Sequence, residues 1–221
     1  MKYNVKQMDM AGELTADWDA DRWVAVETLA LTHFRDEGGD QRPAVRARLG
    51  HGGSTLCGIF HVNDRYVRSV RTGFQADVCN DSCVEFFFEP AGDGAYFNFE
   101  FSAGGAMLCH YVRDIGLPPE RPRDFIPLSD AECEQVRVVS SLPPIVEPEI
   151  TEAMVWTLAY RIPLSALEPY AGELGPLPNK TWRANFYKCG SQTSHPHYGS
   201  WMPVSEKNFH MPECFGDIVF E

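Results

Sequence analysis

Between Trp182 and Gly216 the chain reads WRANFYKCGSQTSHPHYGSWMPVSEKNFHMPECFG, a stretch holding two Trp, two Tyr, three Phe, three His, one Arg and two Lys. A core strand has little use for so many groups that are flat and polar at the tip. A ligand site does, because a ring offers apolar contact area while its tip and neighbours hydrogen-bond. A second set of chemistry-bearing residues precedes it. In DSCVEFFFEP, Val84, Phe86 and Phe88 alternate with Glu85, Phe87 and Glu89; in YFNFEFS, Phe97, Phe99 and Phe101 alternate with Tyr96, Asn98, Glu100 and Ser102. Alternation with period two puts each set on one face of a strand. If the AGDG turn joins the two as a hairpin, Glu85, Asn98 and Glu100 converge on the face away from the phenylalanines. That face either meets solvent or meets a ligand.

A sugar ring presents C–H groups on its faces and hydroxyls around its rim, so it needs an aromatic platform with planar donors and acceptors beside it. Trp201, Tyr198, Glu85, Asn98, Glu100, Arg183 and Asn185 supply that chemistry if the strand faces coincide. Trp201 lies in a Gly-Ser-Trp-Met-Pro segment and reads as a loop ring. Trp182 opens an alternating strand with Ala184 and Phe186 and reads as core. Arg183 has a structural alternative, an ion pair with Glu85 or Glu100.

Other constellations compete. His195, His197 and His210 could ligate a transition metal, although Pro196 separates the first two and no acid is close in the segment. Asp81, Glu85, Glu89, Asp93 and Asp114 leave one structural calcium open, without a D-x-D-x-D-G loop; no other cofactor is expected. Glu85 with Glu100 formally meets the two-carboxylate requirement of glycoside hydrolysis, with neither marked as the proton donor. A saccharide hydrolase using either the histidines or these acids is therefore the second reading. Haem binding through His210, Met211 or Met202 is the third. G-x-S-x-G and phosphate-loop motifs are absent.

Composition narrows the partners. With 44% hydrophobic and 23% charged residues, 221 residues suffice for a core without disulfide or metal support. Acids outnumber bases 31 to 19, a net charge of -12, which argues against nucleic acid as partner. No apolar run reaches the roughly eighteen residues of a membrane span, and the N-terminus lacks an apolar signal core. A cytoplasmic protein without a membrane partner is expected. The seven cysteines, odd in number and without C-x-x-C spacing, read as reduced thiols.

The elements that must position these residues are strands. AVRARLG and TLCGIFHVND read as a hairpin, followed by the two phenylalanine-rich strands, GGAMLCHYV, QVRVVSSLP, AMVWTLAYRIP, the strand from Trp182 and the closing GDIVFE. Residues 1–18 read as an extended lead-in. Asp17 would cap a short helix carrying Trp23, Val26, Leu29 and Ala30, plugging one end of the fold. IGLPPERPRDFIPLSD reads as a surface loop and EPEITE as a turn. The expectation is an all-β, antiparallel two-sheet β-sandwich of immunoglobulin-like or jelly-roll-like architecture, with nine to eleven strands, little helix and one domain over residues 1–221.

DSCVEFFFEP with YFNFE, RIPLSAL, WRANFYKCG, HPHYGSW and NFHMPECFGDIVF, in that order from about Arg46 to Phe220, resemble the carbohydrate-binding module family 9-like proteins. The resemblance implies a β-sandwich, sugar binding without catalysis, a sugar held between aromatic rings, and calcium sites elsewhere. It assigns a sugar hydrogen bond to Glu85 and one clamp ring to Trp201. The second clamp Trp would fall near Cys79 or Asn80, where this sequence has none; Tyr198, Phe74 and His197 are the residues left to complete the clamp.

Overall fold

Wherever side chains alternate between apolar and polar, the chain has become strand. The structure, a computed structural model, describes residues 1–113 and 124–221. Its first eight strands are β1 (Lys2–Gln7), β2 (Leu29–Leu31), β3 (His33–Phe34), β4 (Ala44–His51), β5 (Thr55–Asp64), β6 (Val67–Ser69), β7 (Cys83–Glu89) and β8 (Tyr96–Ser102). Eight more follow among the described residues: β9 (Met107–Arg113), β10 (Asp124–Pro127), β11 (Arg137–Ser140), β12 (Val146–Ile150), β13 (Met154–Pro163), β14 (Thr181–Cys189), β15 (Tyr198–Ser200) and β16 (Gly216–Phe220). Helix is confined to short pieces such as α1 (Asp130–Cys133) and α2 (Glu168–Ala171).

The strands pair in the order β10, β9, β8, β7, β14, β16, β1, β4, β5, β13, β11. The expectation of an all-β chain holds, and that of a purely antiparallel one is corrected. β1 runs parallel to both neighbours, β16 through Lys2 to Val5 and β4 through Lys6 and Gln7. The expected lead-in is thus the strand that joins the two halves, so the immunoglobulin-like picture of two separate sheets gives way to one hydrogen-bonded path. The two halves face each other across phenylalanine and tyrosine rings. Phe86 and Phe101 lie 6.0 and 5.0 Å from Tyr160 of β13, and Phe60 of β5 lies 6.1 Å from Phe186 of β14.

Three local expectations change as well. Asp17 does not cap a helix: its carboxylate accepts from the Asp19 amide at 3.0 Å, and only a 3-10 turn, Asp21–Trp23, follows. Trp23 and Val26 instead pack with Leu14 and Trp18 over Cys57, Ile59 and Ala159, the outward residues of β5 and β13. The segment covers an outer face and does not plug an end. The acidic turn is β12, paired with β6, and Asp124–Pro127 of the expected surface loop pairs with β9 as β10. Residues 115–123 of that loop, and Asp114, lie outside the described residues.

On β14 the inward row Trp182, Ala184, Phe186 continues to Lys188, so the same alternation that buries two large rings buries a charge. The Lys188 ammonium donates to His197 Nε2 at 2.6 Å and to the Cys189 carbonyl at 2.9 Å, and lies 3.3 Å from Asp64 at the end of β5. Asp64 also accepts from the Trp156 indole at 3.2 Å and from the Arg65 amide at 2.8 Å. Burial alone would raise the Asp64 carboxyl; the Lys188 charge and these donors bring it below its ordinary range. This polar group ties one half of the fold to the other through the core.

Candidate functional site

The outward face of β7, β8 and β14 carries the chemistry. Glu85 stands directly opposite Glu100 in the β7–β8 register, Phe87 opposite Asn98, and Tyr187 of β14 opposite Glu85. This face is covered: Glu85, Asn98 and Glu100 are 2%, 1% and 6% exposed, so they do not form a solvated surface. The covering comes from the 3-10 turn Val78–Asn80 on one side and the segment around Phe209 on the other. Between them remains a cleft of about 210 Å³. Glu85, Glu100 and Phe87 form its floor, Tyr198, Phe209 and His210 its aromatic wall, and Cys79, Cys189, Ser191, Lys207 and Asn208 complete it.

Each wall residue is held from behind. Phe209 stacks on Tyr187 at 4.2 Å, and its carbonyl accepts from the Tyr187 hydroxyl at 3.0 Å. The His210 ring lies 5.2 Å from Phe87, with its Nδ1 2.9 Å from the Tyr96 hydroxyl. Tyr198 projects from β15 with the Lys207 ammonium 4.4 Å above its ring. Asn98 donates to Glu100 at 2.9 Å and accepts from the His110 amide at 2.8 Å, which fixes the Glu100 carboxyl.

Both floor acids are hard to ionise. Burial, then the neighbouring Cys189 and Glu100, push Glu85 well above the usual carboxylate range. Burial raises Glu100 to about 7, against the Asn98 hydrogen bond that lowers it. A carboxyl raised in the folded state stabilises the fold most when protonated. Its contribution is full below about 4.5 and is lost as the pH rises through about 7. Glu100→Gln keeps the acceptor for Asn98 and removes the ionisation. Its stability relative to the parent should therefore rise by on the order of 3 kcal/mol between pH 4.5 and 8. Urea unfolding at several pH values measures this; a pH-independent difference would show that Glu100 ionises normally.

Of the eight residues proposed from sequence, Glu85, Glu100 and Tyr198 line the cleft, and Asn98 lies behind Glu100. The other four do not line it. Trp201 is only 4% exposed and belongs to the main core, edge-on to Phe186 at 6.0 Å. Its amide donates to the Phe186 carbonyl at 2.9 Å, and Asn185 both donates to the Met202 carbonyl and accepts from its amide. Asn185 is thus used up in pinning the Trp201 segment to β14. Gly216 makes room for the ring, since a Cβ there would come within 3.0 Å of both Trp201 and Met202. Arg183 pairs with Glu89 at 3.5 Å, not with Glu85 or Glu100, and donates to the Glu213 and Phe215 carbonyls.

His197 is fully buried with Lys188 and donates from Nδ1 to the His195 carbonyl at 3.0 Å. Burial and then the Lys188 charge lower its pKa to about 3, so it stays neutral. The three histidines do not meet: His195 stacks on Tyr66 at 3.5 Å, His197 is in the core, and His210 is on the cleft wall. Phe74 is exposed and is not part of the lining. Cys79 forms the cleft wall close to where the resemblance places the second ring. Sequence reasoning missed Phe209, although NFHMP is aromatic and polar at once, and missed the thiols altogether.

Three of the acids considered for calcium, Asp81, Glu89 and Asp93, are engaged by the chain itself. Asp81 accepts from the amides of Val70 and Arg71 and from the Arg71 guanidinium at 2.8 to 2.9 Å. Glu89 accepts from the Gly94 amide and pairs with Arg183, and Asp93 accepts from the Ala95 amide. These carboxylates serve the chain's own donors and share no centre, so they do not fit a calcium ion. The cleft is also smaller than the roughly 300 Å³ at which pockets for drug-sized ligands begin, which leaves no room for haem.

Comparison with known proteins agrees with this architecture. A candidate carbohydrate-binding protein from Bacteroides uniformis is 29% identical over 100% of this chain and 99% of its own, with a TM-score of 0.85. A carbohydrate-binding module family 9 from Caldicellulosiruptor kristjanssonii in complex with cellotriose is 14% identical, with a TM-score of 0.68 over 100% and 94% of the two chains. The same organism's module in complex with glucose gives 14% and 0.66, over 100% and 96%. No curated protein matches. The family model for carbohydrate-binding family 9, a family of non-catalytic modules, matches residues 22–220, and the chain belongs to that family.

Proposed function

We propose that this chain binds a saccharide in the cleft over β7, β8 and β14 and leaves it chemically unchanged. One observation carries the reading: two buried carboxyl groups, from Glu85 and Glu100, face the aromatic wall of Tyr198, Phe209 and His210 across about 210 Å³. A carboxyl kept protonated donates one hydrogen bond and accepts others, which matches a sugar hydroxyl that does both. The wall supplies ring faces for the C–H surface of a pyranose. The volume corresponds to roughly seven waters and suits a single sugar ring. Solved modules of this family hold glucose and cellotriose, so these are the ligands to test first.

The hydrolase reading loses its geometric basis. Glu85 and Glu100 are register partners on one floor, where side chains directly opposite each other start about 5 Å apart and point the same way. Hydrolysis needs carboxyl groups flanking a bond from opposite sides. Calorimetric titration with glucose and cellotriose tests the assignment. Phe209→Ala, in a half-buried loop residue, should weaken the better ligand about tenfold or more, because a few aromatic anchors dominate small sites. Unchanged affinity in that variant would remove Phe209 from the site. Neither form should release product from a chromogenic glycoside.

A further inference from the structure

At the closed end of the cleft the outward rows of β7 and β14 bring Cys83, Glu85 and Cys189 together. The two thiol sulfurs and a carboxylate oxygen all lie within 4.8 Å of one another, the one such cluster of potential ligands among the described residues. Cys83 and Cys189 are register partners, and Glu85 follows Cys83 by two residues on the same face. The Cys189 thiol donates to Glu85 Oε1 at 3.0 Å. Among the described residues no ammonium or guanidinium hydrogen-bonds Glu85; Lys188, next to Cys189 in the chain, donates to the Cys189 carbonyl and otherwise points inward to Asp64 and His197. Three groups that become anionic ligands thus sit together, and the ammonium next to them, that of Lys188, reaches the Cys189 carbonyl and not the ligand atoms.

We propose that Cys83, Cys189 and Glu85 form a binding site for a thiophilic divalent cation, with Zn²⁺ as its type. Two thiolates and a carboxylate are a donor set that favours zinc over calcium or magnesium. Zinc bonds of about 2.0 to 2.3 Å in a tetrahedron put ligand atoms roughly 3.5 to 3.8 Å apart, so modest side-chain rotation from the observed separations closes the site. Entry of M²⁺ releases one proton from each thiol that binds, and one from Glu85 where it is protonated. Access is through the cleft, which Glu85 and Cys189 both line, and the fourth position faces it beside Cys79. Metal and sugar would compete for Glu85, a consequence that rests on the proposed sugar site; the metal assignment itself does not.

Titration of the reduced protein with Co²⁺ alone, under anaerobic conditions, decides it. The expected result is one equivalent bound with thiolate-to-cobalt charge-transfer absorption and tetrahedral d–d bands, both lost on adding Zn²⁺. Cys83→Ser and Cys189→Ser should abolish the charge-transfer intensity or cut it by half or more. Cys57→Ser, behind the opposite outer face, should leave it unchanged. If a cysteine variant fails to fold, the near-isosteric Glu85→Gln carries the test and should weaken cobalt binding at least tenfold. Absence of charge-transfer bands in the parent protein, or bands unchanged in the cysteine variants and in Glu85→Gln, would overturn the proposal.

Discussion

Lys188→Met is expected to destabilise the protein by about 3 to 5 kcal/mol, because it removes one partner of a fully buried ion pair and leaves Asp64 charged in the core. The ammonium has no route to water: Lys188 is fully buried and its three donors are used by Asp64, His197 and the Cys189 carbonyl. Asp64 keeps its Trp156 and Arg65 donors in the variant but loses the charge that opposes its desolvation. Neutralising both ends should restore much of the loss, so Lys188→Met with Asp64→Asn should be more stable than Lys188→Met alone. Denaturant unfolding of the two single variants and the double gives the coupling. If the single variants add independently, the pair is not what joins the halves at this point.

Trp201→Ala should cost a similar amount, about 3 to 5 kcal/mol, as a large-to-small change in a packed core. For a chain of this length that corresponds to a fall in melting temperature of roughly 6 to 20 °C. The ring packs against Phe186 and over Gly216, and its backbone is fastened on both sides by Phe186 and Asn185. Trp182→Ala should behave alike, since that ring stacks on Phe88 at 5.5 Å and meets Phe220 edge-on at 5.0 Å. Both melting curves should therefore shift together. A Trp201 variant that melts with the parent but loses all sugar affinity would restore Trp201 as the platform and displace the wall of Phe209 and Tyr198.

The contrast between these two tryptophans marks where sequence stops being legible. Trp182 is readable because its neighbours alternate, and β4, β5, β7, β8 and β14 are all visible by the same period. The pairing of Glu85 with Glu100 follows from that period and one short turn. Trp201 sits among Gly, Ser, Met and Pro, whose local chemistry is that of a loop; its burial depends on Asn185, sixteen residues away, and on a glycine at 216. β1 was hidden for a related reason. KYNVKQ has weak alternation, and a parallel strand is specified by distant neighbours and not by a hairpin turn. Lys188 was legible in principle, as the next inward residue after Phe186, but a charged residue at that position argues against itself until its partner from β5 is known.

On this reading the cleft walled by Tyr198, Phe209 and His210 is the saccharide site. An amide-resolved NMR titration of the parent protein with glucose and then cellotriose tests it most directly, because it locates binding without altering a residue. The predicted result is a set of saturable shifts centred on Glu85, Glu100, Cys189, Ser191, Tyr198 and residues 207 to 210, with the amides of Lys2 to Gln7 unmoved. Shifts that gather on another surface, or no shift with either sugar at millimolar concentration, would contradict the account.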